Sequence, residues 1–230
     1  MLAVGLVAGN RPVMFQWALG LALQQYPTNI DITYLTRQIN PERDKWAEIS
    51  RCREEIAVES LSIGASHLWL LDDDIQPSAE AARRLWTILE QNPDAGVVGA
   101  ICPTKTVPSE PVVYVEDGNG PHWRWKFGDV FDCSSVGTGC MMIRTSIFRS
   151  LQKPWFEYTD RRIKLVGGNG IEREIEGEDV GFCRKVRQAG FRVMADGGSL
   201  CIHWCCRTGV GYFLPQDSYP LRKDKVEAVN

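Results

Sequence analysis

The sequence predicts an α/β protein built on a doubly wound mixed sheet with helices on both faces. The first supporting observation is that strand patterns and helix patterns alternate over residues 2–101. The second is a change after residue 105, where short alternating segments predict a small antiparallel flap. Strand, helix, strand, helix in this order favours parallel neighbours over most of the sheet.

The first half of the chain contains four predicted strands separated by three predicted helices. The second helix ends at Gly64, and the third is entered through Pro77, whose fixed φ suits a first helical turn. In such sheets ligands bind beyond the carboxyl ends of the strands, where residues 9–12 and 72–74 both fall. The predicted strands are Leu2–Ala8, Ile30–Leu35, His67–Leu71 and Ala95–Ile101, and the predicted helices are Val13–Gln25, Arg43–Ile63 and Ser78–Gln91.

The second half predicts shorter strands and one long loop. Residues 159–176 are polar and contain three glycines. This composition and the length of the segment predict a mobile loop that is long enough to act as a lid. A helix is predicted after this loop over Val180–Ala189, with Glu178 and Asp179 at its start. The flap strands are predicted at Val112–Glu116 and Trp123–Phe127, and a strand interrupted by glycines is predicted at Ser134–Ile143, before a short helix.

Length and composition indicate a single domain, 1–230, since the 230 residues contain no repeat, low-complexity tract or obvious linker. No apolar run approaches the roughly 18 residues that span a bilayer, so no transmembrane segment is predicted. The apolar stretch Leu2–Ala8 lacks a basic leader, which predicts a buried strand and not a signal peptide. The eight cysteines are scattered without CxxC pairs, which predicts free thiols and a cytoplasmic location.

Three consecutive aspartates, Asp72, Asp73 and Asp74, directly follow the apolar run of the third strand. Because neighbouring like charges repel, such a triplet is tolerated where it is solvated, hydrogen-bonded or neutralised by a metal. Hard oxygen ligands suit Mg²⁺ or Mn²⁺, which complete their coordination with water and phosphate oxygens. The alternative is a solvated turn before a helix, because aspartate is common in turns and caps.

Two other features are ambiguous when they are taken alone. The run Gly137, Thr138, Gly139 implies close approach to the backbone, either by a ligand or, more commonly, by a packed neighbour. Glu178 and Asp179 at a helix start are also ordinary partners of the helix dipole.

The histidine near the end of the core also allows more than one interpretation. Zinc is a minor alternative at Cys201, His203, Cys205 and Cys206, but their spacing matches no structural zinc module. For His203 alone, a partly buried histidine on an edge strand is as good an explanation as a metal ligand.

Four strings, taken in order, resemble glycosyltransferases of the GT-A fold, in particular the broad family-2 type. They are LLDDDIQP, GTGCMMI, GEDVGFCRKVRQAGF and IHW, and the resemblance covers about residues 2–204. It implies a Rossmann-like GT-A fold with a nucleotide-sugar-binding half (1–105), an acceptor and catalytic half (106–207) that carries the flap, and a C-terminal tail (208–230). The implied enzyme transfers a sugar from a nucleoside-diphosphate donor, which we predict to be a UDP-sugar, to an acceptor hydroxyl.

The resemblance also implies roles for the aspartate triplet and His203. Asp72 would contact the nucleoside portion of the donor, and Asp73 would take the variable middle place. Asp74 would ligate the Mn²⁺ or Mg²⁺ that bridges the donor diphosphate, with Asp72 and His203 as further metal ligands. A divalent ion at this place would stabilise the charge that develops on the departing diphosphate.

Glu178 and Asp179 match the later acidic pair of the family, and the resemblance implies that Asp179 is the catalytic base. A carboxylate can take the proton of an acceptor hydroxyl, and attack from the face opposite the diphosphate would invert the sugar configuration. Arg51 and Arg53 point to different faces of the second helix, so at most one of them is expected to reach the nucleotide. The predicted donor-binding residues are Ala8, Asn10, Arg11, Arg53, Asp72, Asp73, Gly137, Thr138 and Gly139.

The acceptor is predicted from charge. Residues 1–115 carry 9 basic and 14 acidic residues, and residues 116–230 carry 17 and 15, so the acceptor half is the more basic. The segment His122–Phe127 interleaves aromatic and basic residues, a mixture that suits nucleic acid, sugar rings or a half-buried strand. The acceptor is therefore expected to be DNA with hydroxymethylated bases, as in phage DNA, or else a glycan or a protein. The predicted lid adds basic residues at Arg161, Arg162, Lys164 and Arg173.

Two alternative functions remain open from the sequence. A sugar-phosphate nucleotidyltransferase also uses a Rossmann-like sheet and Mg²⁺, but the loop GNRP after the first strand is short and poor in glycine for an activation loop. A non-catalytic nucleotide- or sugar-binding module would have no need of Asp179.

Overall fold

The computed structural model describes residues 1–116, 120–164 and 171–214. The strands are β1 (Leu2–Ala8), β2 (Ile32–Gln38), β3 (His67–Asp72), β4 (Ile75–Pro77), β5 (Ala95–Ile101), β6 (Val113–Tyr114), β7 (Val130–Asp132), β8 (Ser135–Val136), β9 (Cys140–Arg144), β10 (Thr159–Lys164), β11 (Ile171–Glu176), β12 (Arg192–Cys205) and β13 (Val210–Tyr212). The helices are α1 (Phe15–Ala22), α2 (Lys45–Ser62), α3 (Ala81–Gln91) and α4 (Glu178–Gln188), with a 3₁₀ helix at Thr145–Arg149.

The main sheet has the strand order β13, β12, β5, β9, β3, β1, β2, and both β4 and β7 also pair with β12. Strand β1 lies parallel between β2 and β3, and β5 is parallel to β12. Strand β9 lies antiparallel between β3 and β5. The predicted mixed sheet is therefore confirmed, and β9 is the returning strand that joins its two parallel halves.

Apolar side chains pack on both faces of this sheet, as a doubly wound fold requires. On one face, Ile56 of α2 and Phe182 of α4 belong to a cluster that includes Phe148. On the other face, Trp17 of α1 and Leu85 of α3 belong to a second cluster. The helices hold the sheet from both sides, and this leaves the ends of the strands free to form a site.

Local chemistry sets both ends of α2. The side chain of Asp44 accepts a hydrogen bond from the N–H of Ala47 at 2.9 Å, which caps the helix N-terminus. Gly64 follows the helix with φ of 72°, a conformation that other residues rarely adopt. Along its inner face α2 buries the side chain of Arg53, so this helix delivers a charge to the interior.

The predicted flap differs from the structure. Its first strand is shorter than predicted, because only β6 forms, and β6 pairs with β8. The prediction of its second strand is wrong, since residues 123–127 form no strand in the structure. Trp123 and Trp125 are half-buried while Arg124 and Lys126 are exposed, so burial alternates along this segment without strand pairing. Trp125 packs against the main core, and this packing explains the alternation.

Two other predicted segments are also corrected. The strand predicted at 134–143 is divided into β8 and β9, because residues 137–139 form a turn between them. The long loop predicted at 159–176 contains the antiparallel strands β10 and β11, which pair in register from Thr159 opposite Glu176 to Lys164 opposite Ile171. The residues between these two strands lie outside the described part of the chain.

The described helices include none with the length and hydrophobicity that crossing a membrane requires. All eight cysteines are free thiols. Cys201 forms hydrogen bonds with Cys102 and Cys140, and these contacts and burial raise the pKa of Cys201 well above its usual range. Cys201 therefore belongs to a buried thiol cluster inside the fold.

Candidate active site

Residues from four distant segments meet at one edge of the main sheet. Strands β1 and β3 run side by side, with Val7 opposite Asp72, so the loop after β1 and the turn after β3 are neighbours. The chain after β5 brings Lys105 to Asp74. The far end of β12 pairs with β4 there, with His203 opposite Ile75. The predicted position of the ligand site at the strand ends is thus where these side chains converge.

A buried arginine holds Asp72. Nη2 of Arg53 donates hydrogen bonds to both carboxylate oxygens of Asp72, at 2.8 and 3.0 Å. The Asp72 carbonyl accepts a hydrogen bond from Nε1 of Trp17 at 2.8 Å, and the Asp72 N–H donates to the carbonyl of Gly139 at 3.0 Å. The side chain of Asp72 is still 29% exposed, so it also faces the cleft at the strand ends.

Asp73 turns back toward the first loop. Its carboxylate accepts a hydrogen bond from the Gly9 N–H at 2.7 Å and one from Nη2 of Arg11 at 2.6 Å. Burial raises the pKa of Asp73, and the contacts with Gly9 and Arg11 oppose this rise. Asp73 therefore anchors the first loop to the end of β3, and its contact with the donor stays a prediction.

Asp74 lies among three groups that carry or can carry positive charge. Its Oδ2 accepts hydrogen bonds from Nζ of Lys105 at 2.6 Å and from Nη2 of Arg11 at 3.1 Å. Its Oδ1 lies 3.4 Å from Nε2 of His203. Burial alone would raise the pKa of Asp74, but His203 and Lys105 hold this pKa below its usual range. Asp74 is therefore a carboxylate at neutral pH.

The orientation of His203 is fixed by a backbone carbonyl. Nδ1 of His203 lies 2.9 Å from the carbonyl of Pro103, which can only accept a hydrogen bond. Nδ1 is therefore the nitrogen that donates to this carbonyl, and Nε2 is the nitrogen that faces Asp74: in the protonated ring it carries a proton toward the carboxylate, and in the neutral ring it is free to bind a cation. A histidine whose second nitrogen donates to a carbonyl is a common arrangement in metal sites.

Asp74 and His203 together fit a divalent cation. One offers a carboxylate oxygen and the other an imidazole nitrogen, and both donors suit Mn²⁺. Asp72 is paired with Arg53, and within the described ranges no group of three or more His, Cys, Asp or Glu side chains is arranged around one metal position. The predicted set of three protein ligands is thus not gathered, so water and donor phosphates would have to complete the coordination.

The acidic pair begins α4. Glu178 is buried and forms a salt bridge with Nη1 of Arg53, so the same guanidinium contacts Glu178 and Asp72. One oxygen of Asp179 accepts a hydrogen bond from the N–H of Val180 at 2.8 Å. Loss of hydration, and next the charge of Glu178, raise the pKa of Asp179 to about 6. A carboxylate with this pKa can accept a proton near neutral pH.

Arg53, predicted to contact the nucleotide, has a buried side chain. Its residue surface is 2% exposed, and its guanidinium meets two carboxylates in the interior instead of the open cleft. A direct contact of Arg53 with the nucleotide stays a prediction, and the contacts that the structure shows for its guanidinium are those with Asp72 and Glu178. Arg51 lies on the outer side of α2 and pairs with Glu48 and Glu55.

The glycine run approaches neighbouring protein groups. A Cβ at Gly139 would lie 2.9 Å from Cγ1 of Ile75 and 3.4 Å from Oδ2 of Asp72. A Cβ at Gly137 would lie 3.0 Å from Cγ1 of Val112. Packing against β4 and the chain before β6 thus accounts for both glycines, and Thr138 between them is buried. Gly139 still borders Asp72 and so remains at the edge of the site.

The first loop lies beside the aspartates, as its position after β1 requires. The carbonyl of Ala8 accepts a hydrogen bond from the N–H of Ile39, and Oδ1 of Asn10 accepts one from Nε2 of Gln38 at 3.2 Å. Arg11 is the residue of this loop that reaches Asp73 and Asp74. Ala8 and Asn10 therefore lie on the side of β2, and Arg11 lies on the side of Asp73 and Asp74.

Sequence reasoning missed Lys105 and Trp17. Lys105 follows β5, and the loop after a fourth strand at the same sheet edge was a signal that could have identified it. Trp17 was assigned only to a helix, although an indole N–H in an apolar helix needs an acceptor, and the carbonyl of Asp72 is that acceptor.

The basic and aromatic residues expected to bind the acceptor are only partly accessible. The ring of His122 lies 5.3 Å from the ring of Phe131, while Phe127 is 61% exposed. Because Trp125 packs against the core, its ring is a poor platform for stacking. The side chains of the expected lid residues Arg161, Arg162, Lys164 and Arg173 lie outside the described part of the structure.

Solved structures share this fold. A197 from STIV aligns with a TM-score of 0.61 and 16% identity over 94% of this chain and 95% of its own. GalNAc-T7, crystallised with UDP, GalNAc and Mn²⁺, aligns with a TM-score of 0.55 and 12% identity over 86% of this chain. This chain spans 42% of the GalNAc-T7 chain. No protein-family description and no curated protein matches the sequence. The structural similarity gives the chain a GT-A-like fold.

Proposed function

We propose that this protein is a metal-dependent glycosyltransferase of the GT-A type that uses a nucleoside-diphosphate sugar. The observation that carries the proposal is the approach of His203 Nε2 to Asp74 Oδ1, at 3.4 Å, at the edge where the ends of β1, β3 and β5 meet. The similarity to GalNAc-T7, whose crystals contained UDP, GalNAc and Mn²⁺, supports the same class of donor and metal.

The donor is held by the strand ends in this proposal. Asp74 and His203 would hold Mn²⁺ or Mg²⁺, and the ion would supply positive charge to the departing diphosphate. Asp72 uses its exposed edge to contact the nucleoside, which we propose is uridine, and Ala8, Asn10 and Gly139 border the pocket. Asp73 contributes by fixing the first loop against β3.

Asp179 is the proposed base. Its raised pKa favours proton transfer from an acceptor hydroxyl, because a base works best when its pKa lies near the working pH. Glu178 acts on Asp179 through charge and stays paired with Arg53. Attack from the Asp179 side, opposite the diphosphate, would invert the configuration of the sugar.

The proposed acceptor is a hydroxyl group, either of a hydroxymethylated base in DNA or of a glycan or protein. Arg124 and Lys126 support the nucleic-acid acceptor, because both residues are exposed and their positive charges are accessible to phosphate groups. The inward packing of Trp125 leaves Phe127 as the exposed aromatic ring of this segment.

The deciding experiment is incubation of the protein with a panel of nucleotide sugars and Mn²⁺, followed by measurement of released nucleoside diphosphate. Release that stops in EDTA supports the glycosyltransferase. Pyrophosphate release from a nucleoside triphosphate and a sugar phosphate would instead identify a nucleotidyltransferase. Binding without release of any product would identify a non-catalytic module.

A further inference from the structure

Two cationic side chains share one oxygen of the candidate metal ligand. Nζ of Lys105 lies 2.6 Å from Oδ2 of Asp74, and Nη2 of Arg11 lies 3.1 Å from the same atom. The other oxygen of Asp74 faces His203. A carboxylate that takes up a metal ion is thus already paired with two cations in the ligand-free protein.

Both cations have room to move. The side chains of Lys105 and Arg11 are 34% and 37% exposed, whereas the side chain of Asp74 is only 14% exposed. Arg11 has a second anchor at Asp73, at 2.6 Å. Among the described residues, Asp74 is the only salt-bridge partner of Lys105. Lys105 is therefore the cation that can leave with the smaller loss of contacts.

A divalent ion and Lys105 compete for Asp74. An ion bound to this carboxylate repels the ammonium group, because charges of equal sign a few ångströms apart repel strongly in a partly buried site. The diphosphate of the donor brings negative oxygens to the same place, and a lysine ammonium is a common partner of phosphate.

We propose that Lys105 exchanges Asp74 for the donor diphosphate during donor binding, while Arg11 keeps its contact with Asp73. In the nucleotide-free protein Lys105 neutralises Asp74, and in the presence of metal and donor it binds the diphosphate. This inference rests on the proposed function and adds a diphosphate-binding residue to it. It also predicts that Lys105 hinders metal binding before the donor arrives and helps nucleotide binding afterwards.

The test is the Lys105→Ala variant, measured by two titrations. In the first, Mn²⁺ is added without nucleotide, and its affinity is expected to rise roughly two- to five-fold, the range for loss of a partly exposed ion pair. In the second, UDP is added at saturating Mn²⁺, and its affinity is expected to fall about ten-fold or more, as for loss of a hydrogen bond to a charged group. Uridine, which has no phosphate, should bind equally well to both proteins.

Matched variants separate the proposal from a general loss of charge. Lys153→Ala removes a lysine that lies over the ring of Trp155, away from the aspartates, and should change neither affinity. Lys105→Arg should recover most of the UDP affinity because it keeps a cation there. Lys105→Gln repeats the test with a side chain of similar length, and thermal unfolding confirms that each variant is folded.

Opposite changes in the two titrations support the exchange. Unchanged UDP affinity in Lys105→Ala, or a fall in both affinities, overturns it and leaves the proposed function intact if the wild-type protein binds UDP with Mn²⁺. A wild-type protein that binds no nucleoside diphosphate in the presence of Mn²⁺ overturns both.

Discussion

Nη2 of Arg53 lies 2.8 and 3.0 Å from the two carboxylate oxygens of Asp72, and the arginine side chain is only 3% exposed. Through its other terminal nitrogen the guanidinium also pairs with Glu178. The strand end that carries the aspartates and the helix that carries the acidic pair are thus joined by one buried cation. This link places Asp179 next to the network that holds Asp72.

The first prediction is that Arg53→Ala lowers the free energy of unfolding by about 3–5 kcal/mol, because it leaves two carboxylates without their buried partner. Urea denaturation of the wild type and the variant measures this difference. Arg51→Ala is the matched control on the same helix, and its more exposed salt bridges should cost at most about 1 kcal/mol. An equal loss of unfolding free energy in the two variants would contradict the view that burial makes the Arg53 salt bridges the more important ones.

The second prediction concerns metal and nucleotide. UDP should raise the midpoint of thermal unfolding only with Mn²⁺ or Mg²⁺ present, because a ligand stabilises the native state only when it binds that state. Asp74→Asn should abolish this metal dependence, since the amide is a poorer ligand for a hard cation.

Asp73→Asn provides the control for this measurement. Its carboxylate faces Gly9 and Arg11, so the variant should be less stable but should keep the response to Mn²⁺. Equal stabilisation by UDP in EDTA would exclude a metal-bridged donor site.

Local patterns made most of the fold predictable. The end of α2 follows from Gly64, whose positive φ other residues avoid. The end of β3 follows from the apolar run that stops at Asp72. These features depend on neighbours within a few positions in the chain. Local patterns alone therefore predict that the aspartates lie at the strand end.

Long-range pairing explains what the sequence did not predict. Residues 192–200 were not assigned to a strand, yet they begin the long β12, where the buried Asp196 pairs with Arg84 of α3. The salt bridge between Arg53 and Glu178 was not predicted, because the two residues are far apart in the chain and no local pattern indicates that they meet. Lys105 was missed for the same reason, since its partner Asp74 lies in another loop.

The third prediction is that Asp179→Asn leaves the affinity for UDP and Mn²⁺ nearly unchanged but lowers transfer by roughly 10²–10⁴-fold. A general base acts in the chemical step and not in ground-state binding, which is the reason for the split. Calorimetric titration and single-turnover transfer measure the two quantities. Near-normal turnover would move the base to another residue, with Glu178 as the first to test.

The fourth prediction is a pH dependence. The base must be ionised, so transfer should fall as the pH drops through about 6, the raised pKa of Asp179. The effect on stability has the opposite direction: a carboxyl whose pKa is raised in the folded state favours folding while it is protonated. Stability from this group should therefore decline as the pH rises from about 4 to about 6. Unfolding of the wild type and Asp179→Asn across this range should show that decline only in the wild type.

The last prediction concerns the acceptor. If DNA with hydroxymethylated bases binds along residues 122–127, its phosphates must release counterions, and apparent affinity should fall steeply as salt rises. Arg124→Ala and Lys126→Ala should each reduce this salt dependence by about one phosphate contact, because both side chains are exposed. Phe127→Ala should weaken acceptor binding by roughly 1–3 kcal/mol if the ring stacks on a base.

Trp125→Ala serves as the contrasting variant in this experiment. Because the ring of Trp125 packs against the core, its loss should lower thermal stability, which the Phe127→Ala change should not do. The measurement is transfer of labelled sugar to hydroxymethylcytosine-containing DNA at increasing salt, beside a neutral glycan acceptor. A glycan carries no phosphates, so transfer to it should depend little on salt. Donor hydrolysis without any transfer to the DNA would reject the nucleic-acid acceptor, and a glycan or protein hydroxyl would then be the group that receives the sugar.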